Sequence, residues 1–83
     1  MSLKLHVSNL SNSTRESDLV NAFNNIGLVM SVLIPKDAKG NPKNYGFVNM
    51  GTPEGAQAGI KLNGTMLGER QIAVREATET END

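Results

Sequence analysis

Apolar and polar residues alternate at the start of the chain. Leu3, Leu5 and Val7 are interleaved with Lys4, His6 and Ser8, the period-two pattern of a strand buried on one face and wet on the other. The spacing then changes. Ser13-Thr14-Arg15-Glu16 has the form of a capping box, ahead of Leu19, Val20, Phe23 and Ile26, which share one face of a helix that Gly27 would stop. Val29, Val32 and Ile34 form a β-branched run ended by Pro35, followed by a Gly, Asn and Pro loop over residues 37–42. Tyr45 to Met50 reads as a third strand. Thr52-Pro53 supplies an N-cap and a first-turn proline for a second helix, with Ala56, Ile60 and Leu62 inward. Gly55 and Gly59 weaken that helix by propensity alone. Asn63-Gly64 turns the chain, and Ile72 with Val74 marks a last strand.

The order βαββαβ predicts an α+β fold of the ferredoxin-like kind, a four-stranded antiparallel sheet with two helices on one face and the other face open. At 83 residues the chain has room for one core. The domain is expected to span residues 3–77. Residues 78–83 are short, polar and acidic, and are expected to be a disordered tail.

Composition narrows the chemistry. There is no cysteine and a single histidine, His6, so disulfides, thiolate metal sites and His-rich clusters are excluded and no metal or other cofactor is expected. No apolar run approaches the roughly 18 residues of a membrane span, and Met1 to Leu10 lacks the layout of a secretory signal. An intracellular location, nuclear or cytoplasmic, is therefore expected, and the triplets Asn12-Ser13-Thr14 and Asn63-Gly64-Thr65 read as chance matches to a glycosylation acceptor. The formal net charge is −1. Its distribution matters more: from Glu76 onward there are acids and no base, so residues 1–75 carry a net charge of +3. A basic body suits a polyanionic ligand.

Lys43-Asn44-Tyr45-Gly46-Phe47-Val48-Asn49-Met50 resembles the octamer signature of the RNA recognition motif family, with Asn44 where glycine is usual and Met50 where an aromatic is usual. Leu5-His6-Val7-Ser8-Asn9-Leu10 is similar to the family's hexamer, with His6 at its aromatic place. Leu19, Phe23, Gly27, Ala56, Ile60, Leu62-Asn63-Gly64 and the run from Arg70 to Val74 extend the likeness over almost the whole chain. The resemblance implies a module for single-stranded RNA, and implies base-edge contacts by Asn49, Ser8, Gln71 and the backbone from Ala73 to Ala77.

The residues support that reading independently. Tyr45, Phe47 and Asn49 point to one side of their strand, Gly46, Val48 and Met50 to the other, and pattern alone leaves either set open as the core. Two helices cover only one face, and Val48 and Met50 with Leu5 and Val7 already supply it. Tyr45 and Phe47 are then expected to stand exposed, where unpaired bases stack on aromatic rings. His6 is expected beside them as a smaller platform, with Lys4, Lys43 and Arg75, and the loop residues Lys36 and Lys39, as phosphate contacts. Phe23 is expected in the core, and Met30, Met50 and Met66 in packing or loop positions.

Two other functions compete. A protein-contact domain with weak or no RNA binding would fit the departures at His6, Asn44 and Met50 and the slight overall acidity. A small hydrolase on the same fold would need an anion cradle, and the loop Asn9-Leu10-Ser11-Asn12 holds neither arginine nor glycine. The expected protein is a monomeric binder of single-stranded RNA, with single-stranded DNA and a protein as further partners, and not an enzyme.

Overall fold

The structure is a computed structural model that describes residues 2–81. Its elements are β1 (Lys4–Ser8), α1 (Glu16–Asn24), β2 (Val29–Leu33), β3 (Tyr45–Met50), α2 (Pro53–Ile60), β4 (Met66–Leu67), β5 (Arg70–Gln71) and β6 (Ala73–Glu76). β2, β3, β1 and β6 lie in that order in one antiparallel sheet, and β4 pairs with β5 in a separate two-stranded ribbon. This is the expected βαββαβ fold with one addition, the ribbon. Residues 66–71 offered no alternating run long enough to announce it. Ile72 is not part of the last strand but the buried link between β5 and β6.

Both helices pack on one face. Leu5 and Val7 of β1, Val48 and Met50 of β3 and Val74 of β6 meet Leu19 and Phe23 of α1 and Ala56 of α2 in a single core. Val20 is 37% exposed, so the inward face of α1 is narrower than its apolar spacing suggested. The helix also starts and stops differently. Its N-cap is Arg15, not Ser13, and the Asp18 carboxylate accepts from the Arg15 N–H at 2.8 Å. Glu16 is thereby left to accept the N–H of Ile34 at 3.0 Å, tying the start of α1 to the end of β2. At the other end the C-cap is Asn25. Gly27 is demanded by proximity, since a Cβ there would lie 2.8 Å from the Gly55 Cα in α2.

α2 follows expectation. The Thr52 hydroxyl accepts from the Gly55 N–H at 3.0 Å, and Pro53 occupies the first turn, where its missing N–H costs nothing. Its glycines let the helix settle onto β1. A Cβ on Gly59 would lie 2.4 Å from Leu5 Cδ1 and 3.4 Å from the Phe23 ring, both fully buried.

That contact gives a test opposed to propensity. In an open helix glycine to alanine gains about 1 kcal/mol, whereas forcing a methyl into a packed core costs about 1–3 kcal/mol. Gly59→Ala is expected to destabilise the domain by about 1 kcal/mol net, read from the midpoint of urea unfolding. A midpoint that rose instead would mean that α2 does not pack this closely on β1.

Candidate nucleic-acid interface

Strand register builds the open face. Lys4, His6 and Ser8 of β1 lie opposite Asn49, Phe47 and Tyr45 of β3, and His6 and Ser8 also lie opposite Arg75 and Ala73 of β6. On the other side Ser31 and Leu33 of β2 lie opposite Asn49 and Phe47. Directly opposed residues share a face, so the sheet carries a central row Leu33, Phe47, His6, Arg75 running from β2 across to β6. Tyr45, Ser8 and Ala73 form a row on one side of it, with Ser31, Asn49 and Lys4 on the other.

At the centre stand three rings. His6 lies 5.4 Å from Tyr45, with their planes 23° apart, and meets Phe47 edge-on at 5.3 Å. Tyr45 and Phe47 are edge-to-face at 6.1 Å. Offset and edge-on contacts at such distances are favourable for π-systems, so the trio forms one continuous aromatic surface. Two cations sit over it, Lys4 Nζ at 5.5 Å from the Phe47 ring centre and Lys43 Nζ at 5.8 Å from that of Tyr45.

Asn44 is a departure from the octamer with a visible role. Its side-chain N–H groups donate to the Leu10 carbonyl at 2.7 Å and to Asn12 Oδ1 at 2.9 Å, while its backbone carbonyl accepts from the Leu10 N–H. The loop after β1 is thus pinned to the entrance of β3. Asn9 pins the far side: with φ at +64°, it donates to the Gln71 carbonyl and accepts from Arg70. Gln71, expected to read base edges, donates its side-chain amide to the Gly64 carbonyl. Asn49 donates to Ser31 Oγ at 2.8 Å.

Phe47 departs from expectation. It occupies the open face as read, but is only 2% exposed. Lys4, which holds its ammonium over the ring, is itself buried, and its Nζ donates to the backbone carbonyls of Glu79, at 3.2 Å, and Glu81. Residues beyond β6 therefore lie against this face. Ala77 continues the pairing, donating to the Lys4 carbonyl. A turn follows in which the Glu81 N–H donates to the Thr78 carbonyl and the Thr78 N–H to the Glu81 carboxylate. The same carboxylate meets the Arg75 guanidinium at 3.0 Å. Asn82 and Asp83, the end of the acidic segment, lie outside the described residues.

These contacts set the charges. The Arg75 hydrogen bond, followed by that from Thr78, pulls the Glu81 carboxyl down to about 2. His6 titrates below its ordinary 6.5, chiefly because it is partly buried and next because Arg75 repels its proton, with Glu81 opposing the shift. At neutral pH the His6 imidazole is therefore uncharged, with cations around it.

Sequence reasoning missed Leu33. It completes the central row and is 41% exposed, adding an aliphatic shelf beside Phe47. The signal lay in the Val29 to Ile34 run, but a register shift between Val29 and Ser31 turns the second half of β2 over, and nothing in the sequence located that shift.

Comparison with known proteins agrees with this geometry. The family model described as RNA recognition motif matches residues 5–73. Over 74 residues the chain is 35% identical to polyadenylate-binding protein 5 of Arabidopsis thaliana, covering 88% of this chain and 11% of that protein. Over 76 residues it is 40% identical to RNA binding protein fox-1 homolog 3 of Homo sapiens, covering 90% of this chain and 24% of that protein. The chain thus spans less than a quarter of the length of these curated relatives. Among solved structures, a Sex-lethal protein/RNA complex superposes with a TM-score of 0.82 at 28% identity, over 90% of this chain and 47% of that one. From the matched residues, the sheet register and the ring cluster, the chain belongs to the RNA recognition motif family.

Proposed function

We propose that this domain binds single-stranded RNA on its open sheet face and performs no chemistry there. The observation that carries the reading is the ring trio of His6, Tyr45 and Phe47 in contact across two adjacent strands, bordered by Lys4, Lys43 and Arg75. Flat, sequence-tolerant stacking on Tyr45 and Phe47, with His6 extending the surface, supplies affinity. Cations hold phosphates in register without reading sequence, and Asn49 is positioned to contact base edges. Single-stranded DNA is a weaker partner of the same face, since bases stack alike and only contacts to the 2′-OH separate the two. The similarity to an RNA binding protein and to a structure solved as a protein/RNA complex supports RNA as the ligand. A protein-contact role draws on no comparable feature of the sheet. No helix among the described residues is long and apolar enough to cross a membrane, and an intracellular site of action, nuclear or cytoplasmic, fits an RNA ligand.

The neutral state of His6 adds a pH dependence. Folding lowers its affinity for a proton, so the unfolded chain, with an imidazole near 6.5, takes up the proton first as pH falls. Stability is therefore full above that value, declines as pH drops below it, and levels off below the folded-state value. Arg75 acts on the imidazole as the cation and Glu81 as the anion, while the Lys4 ammonium lies over the neighbouring Phe47 ring. Bound phosphates would favour the charged ring, so RNA affinity should rise over the interval in which the free domain loses stability.

Tyr45→Ala, which leaves the aliphatic core intact, should weaken binding of a short single-stranded RNA by about 1–3 kcal/mol, measured by fluorescence anisotropy, with the amide spectrum of the fold preserved. Unchanged affinity would remove the ring surface from the binding site. Lys43→Ala should lower the slope of log K against log salt by about 0.7, the share of one phosphate contact on a single strand; an unaltered slope would take Lys43 out of the interface. Between pH 7.5 and 5.5 the wild-type domain should lose urea resistance and gain RNA affinity, while His6→Phe does neither. A His6→Phe protein with the same two pH profiles as wild type would assign the titration to another group.

A further inference from the structure

The candidate binding face is already occupied by the chain itself. Lys4 and Arg75, the cations on either side of His6 along β1 and β6, both have anionic or carbonyl partners from one short segment, residues 78–81. Lys4 Nζ is held by the carbonyls of Glu79 and Glu81. Arg75 is held by the Glu81 carboxylate through both guanidinium nitrogens, at 3.0 and 3.4 Å. Each partner is an oxygen acceptor, the kind of atom an RNA phosphate would also offer these cations. Phe47 is sealed at 2% exposure under the ammonium that the segment anchors, although no residue of the aliphatic core surrounds it on that side.

The segment is shaped for this role. Glu81 closes its own turn through the Thr78 N–H at 2.8 Å while reaching Arg75, so a single side chain fixes both the fold of the segment and its attachment. Glu79 is anchored by its side chain to the Ser2 hydroxyl at 2.9 Å, and Glu76 accepts from the Ser2 N–H, which docks the start of the chain against the same edge. Acidic residues in a tail need not adopt any of these contacts; here Glu81 is placed on Arg75, and Glu76 and Glu79 on Ser2.

We propose that residues 78–81 act as an internal competitor for RNA, lying across β1 and β6 so that a strand must displace them to reach Phe47, Lys4 and Arg75. The inference rests on the RNA-binding reading of this face. Affinity then has two components, the intrinsic strength of the ring surface and the fraction of molecules in which the segment is released. Contacts of this kind are exposed and individually weak, so the segment is a threshold and not a lock. Ligands long enough to engage Leu33, 41% exposed on the outer strand β2, gain a foothold from which to peel it away.

The test uses the full chain with Glu81→Gln, which removes the charge and loosens the turn, beside Glu54→Gln, which removes the same charge on α2 away from the sheet. Without RNA, hydrogen exchange at the Thr78 and Glu81 amides should quicken in Glu81→Gln and stay unchanged in Glu54→Gln. With a fluorescein-labelled random-sequence RNA octamer, Glu81→Gln should bind about two- to fivefold more tightly than wild type, the range of an exposed ion pair, and Glu54→Gln much less so. Equal tightening in the two variants would reduce the effect to overall charge and overturn the proposal. Unchanged amide exchange in Glu81→Gln would overturn it at its structural premise, whatever the RNA result. If exchange quickens but none of the three proteins binds the octamer, the segment covers the face without competing with RNA, and the RNA-binding reading fails with the proposal.

Discussion

The pairing of β1 with β3 is the constraint on which the rest of the structure depends. Its register sets Leu5 opposite Val48 and His6 opposite Phe47, so aliphatic residues go to the helices and rings to the open face in a single step. Because side chains alternate with period two, a slip of one residue would exchange the two sets. Burial of Leu5, Val7, Val48 and Met50 under α1 and α2 holds the register in place. The same hydrophobic energy that folds the domain therefore also arrays its rings.

How closely α2 approaches β1 is decided by the absence of side chains. Gly59 over Leu5 and Gly27 against Gly55 are contacts in which a Cβ would intrude. Gly55 and Gly59 weaken α2 when read by propensity, and become necessary once the helix has a neighbour. The hydrogen bonds of Asn44, Asn9 and Glu16 then tie the loops and element ends to the strands. The ring surface is consequently held from behind by packing and at its ends by polar clamps.

The sequence revealed what repeats and concealed what depends on contact at a distance. The alternation in Leu3 to Ser8 and the spacing of Leu19 and Phe23 gave the strand, the helix and their inward residues, and the octamer placed the rings on one face. Val20 misled because four apolar residues define an arc wider than the helix buries. Ser13 and Glu16 misled because Asp18 offers an equally local cap, and only the approach of Ile34 shows what Glu16 does instead. The shift in β2, which brings Leu33 beside Phe47, depends on how that strand meets β3. The cover over Phe47 joins Lys4 to Glu79 and Glu81 across most of the chain, a separation no local pattern can express.

The irregularity in β2 also shapes what the sheet does at its border. β2 is an outer strand of the sheet, and a straight outer strand offers a template of unpaired amides and carbonyls to any other extended chain. The register shift between Val29 and Ser31 interrupts that template near its middle, and Pro35 ends it shortly afterwards with a residue that has no N–H to give. Exposed Leu28 and Met30 near this border would otherwise make it adhesive. The same irregularity that turns Leu33 to the open face thus also shortens the regular edge available for pairing with another strand.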